Sequence, residues 1–267
     1  SGTPIERAEI SVLPEGRVEV VIGTSPSGQG HETSFAQCVS DWLGVPFESI
    51  QIITGDTERV QEGGGSHSAR SMRMAGIVMG KASDIIIEKG RRIAEHILEV
   101  AASDIEFAAG RYEIKGTDRS IGIFEIAENA TNNPEYADDL QGVLSGEHQE
   151  LMRVPGYPYG AQVCEVEIDP ETGGLEIVAS TAVDDVGCAI NPLILHGQAH
   201  GGIAQGYGQA FLENRSGGIG DTRVDVARAL EVKERRRIIG IGKDIGGGLS
   251  FIFSLESPNC PILKSQA

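Results

Sequence analysis

The chain has 267 residues, 40% of them hydrophobic and 23% charged, values of a globular chain able to bury one sizeable core or two small ones. A formal charge of -17 argues against nucleic acid or an anionic membrane surface as partner. No signal-peptide pattern and no apolar run of membrane-spanning length occurs, so a soluble, cytoplasmic chain is expected. Cys38, Cys164, Cys188 and Cys260 form no Cys-x-x-Cys pair and read as thiols in a reducing compartment. The chain opens on Ser1, not Met, and is expected to be a processed or partial product.

In chain order, Glu6–Leu13 and Arg17–Thr24 flank Pro14-Glu-Gly16, a hairpin signal. The stretch Gly23-Thr-Ser-Pro-Ser-Gly-Gln-Gly-His-Glu-Thr33 then leads into a helix over Ser34–Leu43, with Thr33 or Ser34 as its predicted N-cap. A strand, a glycine-rich turn and a helix N-terminus together suit an anion, because bare backbone N–H groups approach the ligand and the helix dipole favours negative charge. Ile50–Thr54 reads as a strand, and Gly55–Ser71 as a long polar, glycine-rich connection. Apolar spacing from Met72 to about Ala102 predicts a long helix broken near Gly90. Ile105–Ala108 and Arg111–Ile114 make a short hairpin, Ile121–Asn129 a helix, and Thr131–Pro158 an irregular polar connection.

In the second half, Gly160–Asp169 and Leu175–Val183 alternate strongly around Pro170-Glu-Thr-Gly-Gly174, a long hairpin. After Asp184–Pro192, the segment His196–Glu213 has helical spacing but carries glycines at 197, 201, 202, 206 and 208. Each costs about 1 kcal/mol relative to Ala inside a helix, and close approach to a ligand or another helix is the usual reason such a cost is accepted. Beyond Asn214 the character changes: Arg223–Arg237 is basic with helical patterning, Gly240–Gly248 holds five glycines, and Leu249–Leu255 reads as a strand.

Several familiar motifs fail on spacing. His31-Glu32 lacks the second zincin histidine, since Phe35 stands there; Gly76–Lys81 is one residue short of a P-loop; and Gly28-Gln-Gly30 lacks the third Rossmann glycine. No metal ligand set and no nucleophile-elbow pattern is found. What remains is an α+β protein, with mixed sheets and packed helices, whose glycine-rich loops suit a phosphate-bearing ligand.

Three of these stretches, in this order, resemble the C-terminal, molybdopterin-binding half of the molybdenum hydroxylase large subunit. That family contains xanthine dehydrogenase, aldehyde oxidoreductase and aerobic carbon monoxide dehydrogenase. Gly28-Gln-Gly-His-Glu-Thr33 resembles its Gly-Gln-Gly-x-x-Thr loop. Gly64-Gly-Ser-His-Ser-Ala-Arg-Ser71 resembles its second, Ser/Gly-rich loop, and Asp185–Pro192 followed by Gly197–Gly206 resembles the third. The resemblance covers roughly residues 5 to 213 and implies the fold of the family's second cofactor-binding domain. It implies a molybdenum–molybdopterin cofactor in its cytosine dinucleotide form. Gly28, Gln29, Gly30, His31 and Thr33 would lie at the phosphates. Ser68, Ala69, Arg70 and Ser71 would meet the dinucleotide or pterin, and Asp185, Asn191, Gln198 and Gln205 would lie near the pterin.

The reaction class implied is oxidation of an aldehyde, N-heterocycle, purine or CO with oxygen derived from water. FAD and iron–sulfur clusters would sit on partner subunits, and the first half of the large subunit would be a further partner. The family's catalytic glutamate belongs to a Gly-x-Gly-Glu string that has no match here, so no catalytic residue is assigned and the chain alone is expected to be inactive. The domain expectation is a first cofactor-binding subdomain over 1–158, the hairpin and glycine-rich helix of a second over 159–214, and an atypical tail over 215–267 that is frame-shifted or truncated. A different reading makes the chain a non-catalytic remnant that serves as an assembly module. A third makes it a stand-alone phosphate or nucleotide binder.

Overall fold

A computed structural model describes residues 5–153, 159–212 and 236–242. They fall into two compact units, one on each side of residues 154–158. In the first, β1 (Ile5–Leu13) and β2 (Arg17–Ile22) pair antiparallel with Val12 opposite Val18. The chain then passes through α1 (His31–Leu43) to β3 (Ile50–Ile53), which lies parallel to β2. A second crossover carries it into α2 (Ser71–Leu98). Because β2 and β3 are parallel neighbours, with Val21 level with Ile53, the loops that follow them leave from the same edge of the sheet. That placement is fixed by topology before any side chain is considered.

A small antiparallel sheet follows, β4 (Ile105–Ala108), β5 (Arg111–Ile114) and β6 (Ser120–Gly122). After it come α3 (Ile123–Asn132) and β7 (Leu144–Leu151), and β7 pairs with β1 to complete a sheet of order β3-β2-β1-β7. On β1 every second residue is buried: Glu6, Ala8, Ile10 and Val12. Phe35, Val39 and Leu43 of α1 and Met74, Val78, Ile86 and Ile93 of α2 supply the helical side of the core. Each such apolar side chain contributes roughly 1.5–3 kcal/mol by leaving water.

Several elements differ from expectation. The long helix runs unbroken through Gly90, whose missing side chain makes room for a neighbour: a Cβ there would lie 1.9 Å from the hydroxyl oxygen of fully buried Tyr112. The helix ends at Leu98, with Glu99 in the left-handed conformation. Ile121 belongs to β6, and α3 starts two residues later, where Glu125 Oε2 accepts a hydrogen bond from Gly122 N at 2.8 Å. The supposed irregular connection contains β7. Its inward row (Leu144, Gly146, His148, Glu150) has a single large apolar residue, and Gly146 sits inward because a Cβ would lie 2.2 Å from Ala82 O of α2. A strand that packs through glycine leaves no hydrophobic alternation to read.

The second unit is built on the expected hairpin, β8 (Tyr159–Ile168) and β9 (Leu175–Asp185), with a bulge between Glu165 and Val166. Then comes α4 (Pro192–Tyr207), which begins four residues before the predicted start and runs into a wider π turn over Gly208–Leu212. The basic segment predicted helical up to Arg237 instead ends in β10 (Arg236–Gly242), antiparallel to β8. The remaining tail readings lie outside the described residues.

The Gly90 contact is testable through Trp42, the sole tryptophan, which lies in the first unit against Gly80 of α2. Gly90→Ala should lose about 1–3 kcal/mol to overpacking. Gly76→Ala, in open space on the same helix, should gain up to about 1 kcal/mol of helix propensity. Urea titrations followed by Trp42 fluorescence distinguish the two. Equal midpoints would show that Tyr112 does not constrain Gly90.

Candidate functional site

The first loop spans Gly23–Gly30. Gly30 is left-handed (φ 68°) and turns the chain into α1. Its carbonyl receives Thr33 N at 3.2 Å and Ser34 N at 3.1 Å, and the Ser34 hydroxyl also donates to it at 3.2 Å. The N-cap is therefore Gly30 and not Thr33 or Ser34. The glycine makes the turn itself, and Ser34 lies inside the helix. No side chain caps the helix start, and Glu32 in the first turn is the acidic group at its positive dipole end. Gly28 (φ 100°) has open space around it, and the Gln29 side chain folds back so that its Oε1 accepts from Ser27 N. His31 is buried and stacks on Phe35 with ring centroids 4.6 Å apart, and its Nδ1 has no hydrogen-bond partner. Burial lowers the His31 pKa, and the Glu32 charge only partly opposes that.

The second loop enters α2 through two successive left-handed residues that are not glycine, Ser68 (φ 52°) and Ala69 (φ 54°). Such residues cost about 1–3 kcal/mol each and persist where the surroundings over-determine them. Here the His67 ring reaches Gly64 O and the Ser68 hydroxyl, both at 3.0 Å, and Arg70 N donates to His67 O at 3.0 Å. Arg70 is the helix cap residue, and again no side chain closes the helix start.

The two loops meet at bare backbone. A Cβ on Gly23 would lie 2.3 Å from Gly63 Cα, and one on Gly63 would lie 2.4 Å from Gly23 Cα. A hydroxyl chain ties the same region: Ser66 to Ser71 at 2.7 Å, Ser71 to Thr24 at 2.8 Å, and Thr24 donating to Gly65 O at 3.2 Å. Beneath lies an ion pair with no solvent exposure. Arg70 Nη1 donates to Glu6 Oε2 at 2.8 Å and to Gly65 O at 2.6 Å, and Nη2 donates to Ile5 O at 3.2 Å. Gly64 N also donates to Glu6 Oε2, at 3.2 Å, and a Cβ on Gly64 would lie 2.3 Å from the Arg70 guanidinium carbon.

The third stretch lies in the second unit. Asp185 Oδ1 accepts from Gly187 N at 2.9 Å, with Gly187 left-handed (φ 65°). Asn191 caps α4, its Oδ1 accepting from Ile194 N at 3.0 Å, with Pro192 in the first helical turn. Gln198 and Gln205 are exposed and, seven residues apart, share one helix face. Cys38, buried, and Cys164, half-buried, are free thiols.

The structure thus brings Gly28, Gln29, Gly30, His31 and Thr33 into one unit with Ser68, Ala69, Arg70 and Ser71, and places Asp185, Asn191, Gln198 and Gln205 in the other. Sequence reading missed Glu6 and Thr24. The signal for Glu6 was present: it is the one charged residue in the buried row Glu6-Ala8-Ile10-Val12 of a clearly alternating strand. A separate open groove of about 610 Å³ lies between α2 and β4–β5. Its charged residues are paired among themselves (Arg91 with Glu88, Lys115 with Glu106), and it is far along α2 from Ser71. Among the described residues, no cluster of three His, Cys, Asp or Glu could hold a metal ion, and no helix is long and apolar enough to cross a membrane.

Residues 1–217 match the family model of the molybdopterin cofactor-binding domain. The chain is 38% identical over 208 residues to 6-hydroxypseudooxynicotine dehydrogenase complex subunit gamma of Paenarthrobacter nicotinovorans, covering 78% of this chain and 26% of that protein. It is 36% identical to the carbon monoxide dehydrogenase large chain of Hydrogenophaga pseudoflava, covering 77% and 26%. Among solved structures, the Cu,Mo-CO dehydrogenase in its carbon monoxide reduced state superposes with a TM-score of 0.71 at 35% identity, over 77% of this chain and 26% of that one. The chain spans about a quarter of the length of these curated relatives.

The His31 environment carries a pH signature. Its folded pKa lies below the ordinary 6.5, so as pH falls the unfolded chain takes up the proton first. The contribution to stability is full above about pH 6.5 and is lost as pH drops toward the folded value. Urea midpoints followed by Trp42 fluorescence should fall between about pH 7.5 and about pH 5.5, and His31→Gln should flatten that fall. An unchanged slope in the variant would remove His31 as its source.

Proposed function

The chain belongs to the molybdopterin cofactor-binding domain family of molybdenum hydroxylase large subunits, and on that premise we propose that its two linked loops hold the dinucleotide of the cofactor in its cytosine form. The observation that carries this is the pair of helix starts, α1 and α2, that no side chain caps. They follow loops tied through Gly23, Gly63, Thr24 and Ser71. The fit is chemical: bare backbone at left-handed residues and two positive dipole ends suit a polar, phosphate-bearing ligand.

In this reading Gly28, Gln29, Gly30, His31 and Thr33 form the phosphate side. Ser68, Ala69 and Ser71 offer backbone and hydroxyl groups to the dinucleotide or pterin. Arg70, whose guanidinium is fully buried, serves that ligand by holding the loop in place. Asp185, Asn191, Gln198 and Gln205 form the pterin side, so that 1–158 and 159–214 act as two cofactor-binding subdomains. The cofactor, when bound, supplies the oxidation of an aldehyde, N-heterocycle, purine or CO with oxygen derived from water, its electrons leaving to iron–sulfur and FAD subunits. The chain's own residues bind and orient it, and alone they are inactive. Activity needs the first half of the large subunit and the partner subunits.

The test is to co-produce the large subunit carrying this sequence with its partner polypeptides, then measure molybdenum and the CMP released by acid. Wild type should retain both in equal amounts. Gly28→Val meets no neighbour but forces a β-branched residue to φ 100°. It should lower both contents, measured per folded subunit, by about 10- to 100-fold, and the left-handed strain should lower the melting temperature as well. Full cofactor content in Gly28→Val would overturn the reading, and molybdenum without CMP would overturn the cytosine form.

A further inference from the structure

We infer that Glu6 is a positioning residue for the cofactor loops, acting through Arg70 without touching the ligand; this rests on the reading that those loops hold the cofactor. Glu6 lies on β1, in the same buried row as Ala8, Ile10 and Val12. It spends one oxygen on the second loop: Oε2 accepts from Arg70 Nη1 at 2.8 Å and from Gly64 N at 3.2 Å. The other oxygen, Oε1, is buried without a hydrogen-bond partner and faces the first loop, 2.8 Å from where a Gly23 Cβ would stand. Arg70 Nε is likewise buried without a partner.

A buried ion pair with unpartnered atoms is a poor source of stability, because an apolar pair of similar size does at least as well. What this pair does that an apolar pair does not is to aim hydrogen bonds. From Glu6 and Arg70 they reach Gly64 N, Gly65 O and Ile5 O. Those bonds set the height of the second loop over β1 at the place where Gly63 meets Gly23, and they fix the cap residue of α2. Ser68 and Ala69 are held left-handed between these anchors and the His67 contacts. Glu6 is thus the point at which the sheet dictates the position of both loops.

The first measurement is trypsin cleavage of the chain after Arg70, whose side chain has no exposure. In Glu6→Gln, cleavage at Arg70–Ser71 should rise about tenfold or more as the loop opens locally, and cleavage at Arg59–Val60, in an exposed turn, should stay unchanged. The second is molybdenum and CMP content in the assembled enzyme, expected to fall about 10- to 100-fold. Because Glu6→Gln can fail to fold, Glu6→Leu combined with Arg70→Met is the decisive variant. The apolar pair leaves no lone buried charge, so the melting temperature should recover in part. It should stop short of wild type because Gly64 N, Gly65 O and Ile5 O lose their bonds to the pair, and in the folded fraction the cofactor content should stay low. Wild-type content in a folded double variant would overturn the inference, as would unchanged cleavage in Glu6→Gln. If Gly28→Val loses cofactor and the Glu6 variants keep it, the Glu6 inference alone fails. If none of them loses it, the cofactor reading itself is wrong.

Discussion

The contact on which the first unit depends is the meeting of two bare backbones, Gly23 against Gly63, over a carboxylate and a guanidinium with no exposure to solvent. Parallel pairing of β2 and β3 brings both loops to one sheet edge, the place where open α/β arrangements bind ligands. Topology alone leaves the loops only near each other. Glycine at both positions lets them touch, and the ion pair below sets how they touch. Any side chain at Gly23, Gly63 or Gly64 would collide with backbone or with Arg70. Local composition, loop contact and helix starts are therefore one problem with one solution.

Much of the fold was legible because alternation and helical spacing are strong signals. The β1–β2 and β8–β9 hairpins and the body of α2 follow from them. The failures share a physical origin. β7 is invisible because its inward row contains Gly146, which packs backbone to backbone on Ala82. The break expected at Gly90 is missing because Tyr112 fills the space that glycine leaves open. The start of α4 was legible and was overlooked: Asn191 followed by Pro192 is a cap and a first-turn proline.

The site was legible as motifs but not as roles. Gly28–Thr33 and Gly64–Ser71 stand out by glycine content, and the structure joins them as loops of one unit. Composition says nothing about what an arginine in such a loop faces. By resemblance Arg70 would meet the dinucleotide or pterin, and the fold turns its guanidinium inward to Glu6, a residue 64 positions earlier that no local motif includes. The partner becomes visible only when a charge in the buried register of a strand is treated as a question. A buried carboxylate needs a buried cation, and the nearest glycine-rich loop supplies one.

The three helix starts that follow the glycine-rich stretches are not equivalent, although as motifs they look alike. At α1 a left-handed glycine turns the chain and no side chain accepts from the first turn. At α2 two left-handed residues and a cap residue whose side chain is committed elsewhere leave the same condition. At α4 the Asn191 carboxamide accepts from Ile194 N, so part of the donor set is already satisfied within the chain. The α1 and α2 starts, neither closed by a side-chain cap, thus both lie in the first unit. What α4 presents is its exposed Gln198 and Gln205 face, neutral groups able both to donate and to accept. Those suit the edge of a planar heterocycle better than an anion.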